Sequence, residues 1–211
     1  MPNTPAASQT PQQYKYQEQH KRRLSYMPWL YFTLKKKHLE WATPWQEDIQ
    51  NALVDLETVQ FGQNCFVSPQ ANLFAEPNRD LIFGDRCQIA ADTVIHGPIT
   101  CANKVSINHH CTLDGGQAGI RIGEGCRIGA HSALFAFNHG MDKARMISDQ
   151  PVTSKGITLG RDVWLGSHVK ITDGVSIGEG AVIGMGSVVT KDIPAFAKAA
   201  GNPAKVFGYR D

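Results

Sequence analysis

From Phe83 to Pro194 an apolar residue recurs every six positions. The series runs through Ile89, Ile95, Ile107 and Leu113, then Ile122, Ile128 and Leu134. It continues at Leu159, Leu165, Ile171, Ile177, Ile183 and Val189, with Phe83 and Cys101 filling two further slots. Four residues after many slots stands a second, usually smaller residue, among them Cys87, Thr93, Val105, Cys111, Cys126, Ser132, Val163 and Ala181. A short fixed period predicts a stacked β-solenoid rather than a layered domain. Six residues supply one short strand and one corner, and three such faces close a coil of about eighteen residues. An α-helix is excluded by the period and by the glycines that follow many slots. An antiparallel sandwich is the alternative, although its turn signals would be less regular.

The coil period is interrupted twice. The step from Leu113 to Ile122 is three residues too long and contains Asp114-Gly115-Gly116. The step from Leu134 to Leu159 carries about nineteen extra residues, an insertion placed at 140–158. A solenoid confines insertions to its corners, often on the ligand-binding side, so the loop directly after Asn138-His139 is the first place to look for chemistry.

Ahead of the coil, residues 1–22 are polar, rich in Gln and Pro, and lack apolar periodicity, which predicts a disordered tail. Residues 23–58 form an apolar and helical segment. Its first part, Leu24 to Leu34, is too short to span a bilayer and lacks a small-residue cleavage site. It is expected to pack on the coil. The other reading is an interfacial anchor, with Trp29, Tyr31 and Phe32 against lipid and Lys35, Lys36 and Lys37 against head groups. A helix is predicted from Thr43 to Glu57, with Thr43 as N-cap, Pro44 in the first turn and Ile49, Leu53 and Leu56 buried. The coil domain spans 59–194 and a tail spans 195–211.

Composition adds little beyond the pattern. Apolar content is 42 % and the formal net charge is +2, with no basic block to support nucleic-acid binding. Cys65, Cys87, Cys101, Cys111 and Cys126 are odd in number, lack Cys-x-x-Cys spacing and share the inward register. They read as reduced, buried small hydrophobes of a cytoplasmic protein, and no metal is expected.

These repeats resemble the hexapeptide-repeat family, which implies a mainly β fold: a left-handed parallel β-helix, here with an N-terminal helical segment. Asn138-His139-Gly140, Ile157 to Val169, Val182 to Pro194 and Ala200-Gly201-Asn202-Pro203-Ala204-Lys205 are similar to its O-acetyltransferase branch, the maltose, galactoside and xenobiotic acetyltransferases. The resemblance implies acetyl-CoA as donor, a hydroxyl of a carbohydrate-type acceptor, and a homotrimer with the pantetheine arm lying between subunits. It implies His139 as general base, a role that suits an imidazole near neutral pH. It also implies Asn108 and Asp114 in the acceptor pocket, though both residue types commonly satisfy corner backbone groups. Donor contacts are implied for Trp164, Gly166, Ser167, Met185, Thr190, Lys191, Lys198 and Lys205. His109, His110, His131 and His168 are read as corner or exposed residues, and His96, which falls just after an inward slot, is given no role. Residues 1–60 and the loop after His139 have no counterpart in the sugar acetyltransferases, so the acceptor is the least defined part. A zinc hydrolyase of the carbonic-anhydrase type and a non-catalytic scaffold are the alternatives. The first would need three imidazoles converging on one metal.

Overall fold

A computed structural model of the protein describes residues 10–211. The inward series builds about six triangular coils. The first coil contains β1 (Val59–Phe61), β2 (Phe66–Val67) and β3 (Asn72–Phe74). The second contains β4 (Leu81–Phe83), β5 (Gln88–Ile89) and β6 (Val94–His96), and the third β7 (Ile99–Cys101), β8 (Ser106–Ile107) and β9 (Thr112–Asp114). The fourth contains β10 (Ile120–Ile122), β11 (Arg127–Ile128) and β12 (Ala133–Phe135). A hairpin, β13 (Asn138–His139) with β14 (Val152–Thr153), then leaves the coil. The fifth coil has β15 (Ile157–Leu159), β16 (Trp164–Leu165) and β17 (Lys170–Ile171), and the sixth β18 (Ser176–Ile177), β19 (Val182–Ile183) and β20 (Val188–Val189). Within the coils, strands of one face pair in parallel with their counterparts one turn away, as in Ile107↔Ile128↔Leu165↔Ile183 on the second face. The tail closes the second face with β21 (Ala197–Gly201) parallel to β19 and β22 (Ala204–Tyr209) antiparallel to β21.

Every slot residue of the sequence pattern is buried, as are the small residues four positions on. All five cysteines lie in this interior with free thiols. Some corners tolerate only glycine. A Cβ on Gly129 would come within 2.5 Å of the Gly166 carbonyl carbon and the Ser167 nitrogen, because neighbouring coils stack backbone on backbone there.

The N-terminal segment departs from expectation in three places. Residues 11–22, read as part of a disordered tail, belong to helix α1 (Pro11–Tyr26); the rest of that tail, residues 1–9, lies outside the described residues. The cause is local: the Thr10 hydroxyl accepts from Gln13 N–H and the Gln13 side chain accepts from Thr10 N–H, a reciprocal cap ahead of Pro11. Helix α2 (Lys36–Leu56) starts before Thr43, so Thr43 is not its N-cap and Pro44 lies inside it. The carbonyl that loses its partner to Pro44 is that of Glu40, an exposed residue. Leu56, expected in the buried face, is 78 % exposed, whereas Ile49 and Leu53 pack against the coil core.

The short 3-10 helix Pro28–Thr33 between them lays Tyr31 on Phe66, with ring centroids 5.3 Å apart, and Trp45 covers the same ring from α2 at 5.9 Å. Tyr31 is therefore buried rather than available to lipid, and Phe32 sits under the Arg86 guanidinium at 5.0 Å. Among the described residues no helix is long and apolar enough to cross a membrane.

Candidate functional site

The corner between the third and first faces carries the long insertion. His139 is exposed on β13, and its ring stands edge-on to Phe137 at 6.0 Å, with Phe135 a further 5.9 Å from Phe137. The hairpin is braced from within. Gln150 is buried; its Oε1 accepts from Asp142 N–H at 2.7 Å, and its Nε2 donates to the carbonyls of Asp142 at 2.9 Å and Arg145 at 3.1 Å. Ser154 Oγ donates to the Ala136 carbonyl and accepts from Gln117 and Ala118 N–H, joining the long insertion to the Asp114–Gly119 bulge. Asp173 accepts from the N–H groups of Lys155 and Gly156, and from Asn138 Nδ2 at 3.4 Å. A loop of this length would otherwise move freely; these three side chains give His139 a defined position.

Asp114 ends β9 beside Phe135 of β12, four residues before His139. Its Oδ1 accepts from Gly116 N–H at 2.9 Å, and its Oδ2 lies 3.4 Å from His96 Nδ1. His96 Nε2 is in turn 3.8 Å from Glu76, and Arg79 approaches Asp114 at 3.9 Å while donating to the Gly97 carbonyl at 2.7 Å. The half-buried imidazole thus lies between two carboxylates and a guanidinium. Sequence reading assigned His96 no role. The signal it missed was the spacing of eighteen residues between His96 and Asp114, one complete coil.

Thr190 and Lys191 follow β20 at this same edge and are exposed. The other expected donor residues lie on the second face or at the corner that leads from it to the third. Trp164 is 55 % exposed on β16, in line with Val182 and Lys198 on the neighbouring strands. Gly166, Ser167 and the exposed Met185 occupy the corner, and Lys205 lies beside Ala200 at its end. Gly166 N–H donates to the Ile183 carbonyl at 2.8 Å, so this amide serves the coil. Asn108 belongs to the same corner, where its Nδ2 donates to the Ile128 carbonyl at 3.1 Å. One chain therefore groups Asp114, His139, Thr190 and Lys191 at one edge of the third face. It groups Asn108, Gly166, Ser167, Met185 and Lys205 at the other, one face width away, on the order of 15 Å.

The second corner also carries imidazoles that sequence reading left without a role. His110, His131 and His168 occupy equivalent positions in successive coils, and His109 precedes His110. Local desolvation within the column, reinforced by neighbouring histidines, holds His109 and His131 below the ordinary imidazole range.

Residues 156–191 match the family model for the bacterial transferase hexapeptide, described as six repeats. The chain is a hexapeptide-repeat β-solenoid. Among solved structures it is similar to AntD, an N-acyltransferase from Bacillus cereus, in complex with dTDP and 3-hydroxybutyryl-CoA. The TM-score is 0.67 at 22 % identity, over 77 % of this chain and 88 % of AntD. A variant of AntD in complex with dTDP-4-amino-4,6-dideoxyglucose and coenzyme A gives a TM-score of 0.69 at 21 % identity, over 77 % of this chain and 89 % of that one. A third similar structure is the hexapeptide-repeat containing acetyltransferase VCA0836 from Vibrio cholerae. It aligns over 93 % of both chains, with a TM-score of 0.54 at 20 % identity. At these identities the likeness is one of fold.

Proposed function

We propose that this hexapeptide-repeat chain is a CoA-dependent acyltransferase that moves an acetyl group to a hydroxyl of a carbohydrate-type acceptor, with His139 as general base. The observation that carries this reading is the braced hairpin: an exposed imidazole is held in place at the edge of a coil whose next two turns carry the transferase hexapeptide match. AntD, solved with CoA ligands and a sugar nucleotide, supports the substrate classes by analogy of fold.

In this mechanism His139 accepts the proton of the acceptor hydroxyl as its oxygen attacks the thioester carbonyl. The carbon–sulfur bond of the tetrahedral intermediate then breaks, and the imidazolium returns a proton to the departing CoA thiolate. Negative charge on the carbonyl oxygen during attack requires nearby donors, a role for amides at the Ser167–Met185 corner or for Thr190. Direct transfer agrees with the burial of every cysteine, which leaves no thiol accessible for a covalent acyl-enzyme.

The separation of the expected residues between two edges supports a homotrimer. Side-by-side subunits would set the His139 edge of one against the Trp164 and Met185 face of the next and create a concave site that neither chain has alone. Large exposed apolar side chains at Trp164, Met185 and Phe207 fit such a covered groove. Use of a CoA donor also implies a cytoplasmic reaction. An amino group is the second acceptor reading, because AntD is an N-acyltransferase.

The test is calorimetric titration of acetyl-CoA into the assembled protein, followed by thiol release with sugar hydroxyl and amino-sugar acceptors. Saturable binding that Lys205→Ala weakens, with release dependent on His139, is the expected result. No binding at millimolar donor would overturn the reading, and release only with amines would replace O-transfer by N-transfer.

A further inference from the structure

Away from the His139 edge, the coil period stacks a second set of ionisable side chains. Asp92, His110, His131 and His168 follow one another at the corner between the second and third faces, all with left-handed backbone at φ 57°, 57°, 60° and 61°. The rings of His110 and His131 stack 4.8 Å apart at 17°, and those of His131 and His168 stack 4.7 Å apart at 3°. His109 stands edge-on to His110 at 5.2 Å and to His131 at 5.5 Å. One ligand nitrogen from each of His109, His110 and His131 lies within 4.8 Å of the other two. His109 Nδ1 is buried and makes no hydrogen bond. Asp92 lies 3.7 Å from His110 Nε2 and accepts the Tyr26 hydroxyl at 2.7 Å, which fixes the carboxylate beside the cluster.

We propose that His109, His110 and His131 form a binding site for a divalent transition-metal ion of the zinc type. The donor set is all imidazole nitrogen, which suits Zn²⁺, Ni²⁺ or Cu²⁺ and disfavours Mg²⁺ or Ca²⁺. Zn–N bonds of about 2.0–2.1 Å in tetrahedral geometry place ligand nitrogens about 3.4 Å apart. The three nitrogens therefore close by side-chain rotation, and His110 and His131 are exposed enough to splay from their stack. His168 and Asp92 flank the set. Either one completes the coordination or, in the case of Asp92, orients the His110 tautomer through its second nitrogen. The column exists because residues one coil apart share a corner, so the bound ion ties the third coil to the fourth. Within one chain His139 lies across the third face, whereas His109 and His168 adjoin Asn108 and Ser167 in sequence, so the test reads Zn²⁺ binding directly and requires no acyl transfer. It also departs from the sequence expectation that the chain carries no metal.

The experiment titrates ZnCl₂ into the chelator-stripped full-length protein by calorimetry, for wild type, His110→Asn, His131→Asn, the double variant and His139→Ala. Asparagine is chosen because it tolerates the left-handed backbone at both corners. The expected result is one Zn²⁺ per chain, weakened about tenfold or more by each asparagine and abolished by both, with His139→Ala binding as wild type. A second measurement needs no variant: Zn²⁺ should protect His109, His110 and His131 from ethoxyformylation in peptide mass mapping, while His139 stays reactive. The proposal is overturned by absence of saturable binding to the folded wild type, by undiminished binding in the double variant, or by protection that maps to other histidines.

Discussion

Gln46 stands in for a missing strand against Val67. From α2 its Oε1 accepts from Val67 N–H at 2.7 Å and its Nε2 donates to the Val67 carbonyl at 3.0 Å, both within the buried core. The first coil would otherwise end in an open edge at β2, with unpaired backbone groups of the kind that templates aggregation. Gln50 extends the cover by donating to the Cys65 carbonyl at 3.0 Å. The N-terminal helices thus cap the solenoid through named amides as well as through Phe66, Tyr31 and Trp45.

Gln46→Leu keeps the volume and removes both hydrogen bonds. Roughly 1–3 kcal/mol should be lost for each buried backbone group left unpaired, read as a fall in the denaturant midpoint. Unchanged stability would mean that the helices cap the coil by apolar packing alone.

His139→Ala should slow acyl transfer by about 10²–10⁴-fold while leaving the dissociation constant for acetyl-CoA unchanged, because a base acts on the acceptor proton. Equal losses in donor affinity and turnover would instead assign His139 to donor binding.

Gln150 holds the hairpin and touches no substrate in the proposed mechanism. Gln150→Ala should lower turnover up to about a hundredfold, since a misplacement of about 1 Å at a catalytic group has that effect. Amide exchange at Gly140 and Asp142 should speed up in parallel, with global stability retained. Faster exchange without a change in turnover would separate loop order from catalysis.

The thiols supply a pH prediction. Burial pushes Cys111 and Cys126 up from an ordinary 9.0 to about 11, and raises Cys101 as well. A raised pKa means that the unfolded chain releases its protons first. The associated stability is therefore intact below pH 9 and is lost as pH rises toward 11. Native protein at pH 8 should not react with a disulfide reagent, whereas all five cysteines should react after unfolding. Rapid labelling of the native state would contradict the burial.

The long-range periodicity was legible because each coil repeats one solution to one packing problem: an aliphatic residue inward, a small residue at the corner. Leu165 and Ile183 can be placed on one face by counting sixes, and the five cysteines by their register. The prominence of His139 likewise follows from where the count breaks. Helix α1 leaves no mark in the apolar pattern because a polar stretch carries no core-facing period, although Thr10 and Gln13 hold a cap signal that reads locally. Pro44 misled in the opposite sense, since a first-turn preference is weak evidence against helix that packing of Trp45 and Gln46 extends in both directions.

The solenoid, its inward residues and the corner from which the long loop departs follow from the period of six alone, since it constrains every residue in the count. Which corners coincide across an insertion depends on how the coils stack in space. His110 meets His131 because a coil and its insertion separate them in the chain while one coil spacing separates them in space. The same stacking sets Asn108 and His139 on opposite edges of one face, because closing a triangle assigns each corner to a different side. A linear spacing carries no record of that closure.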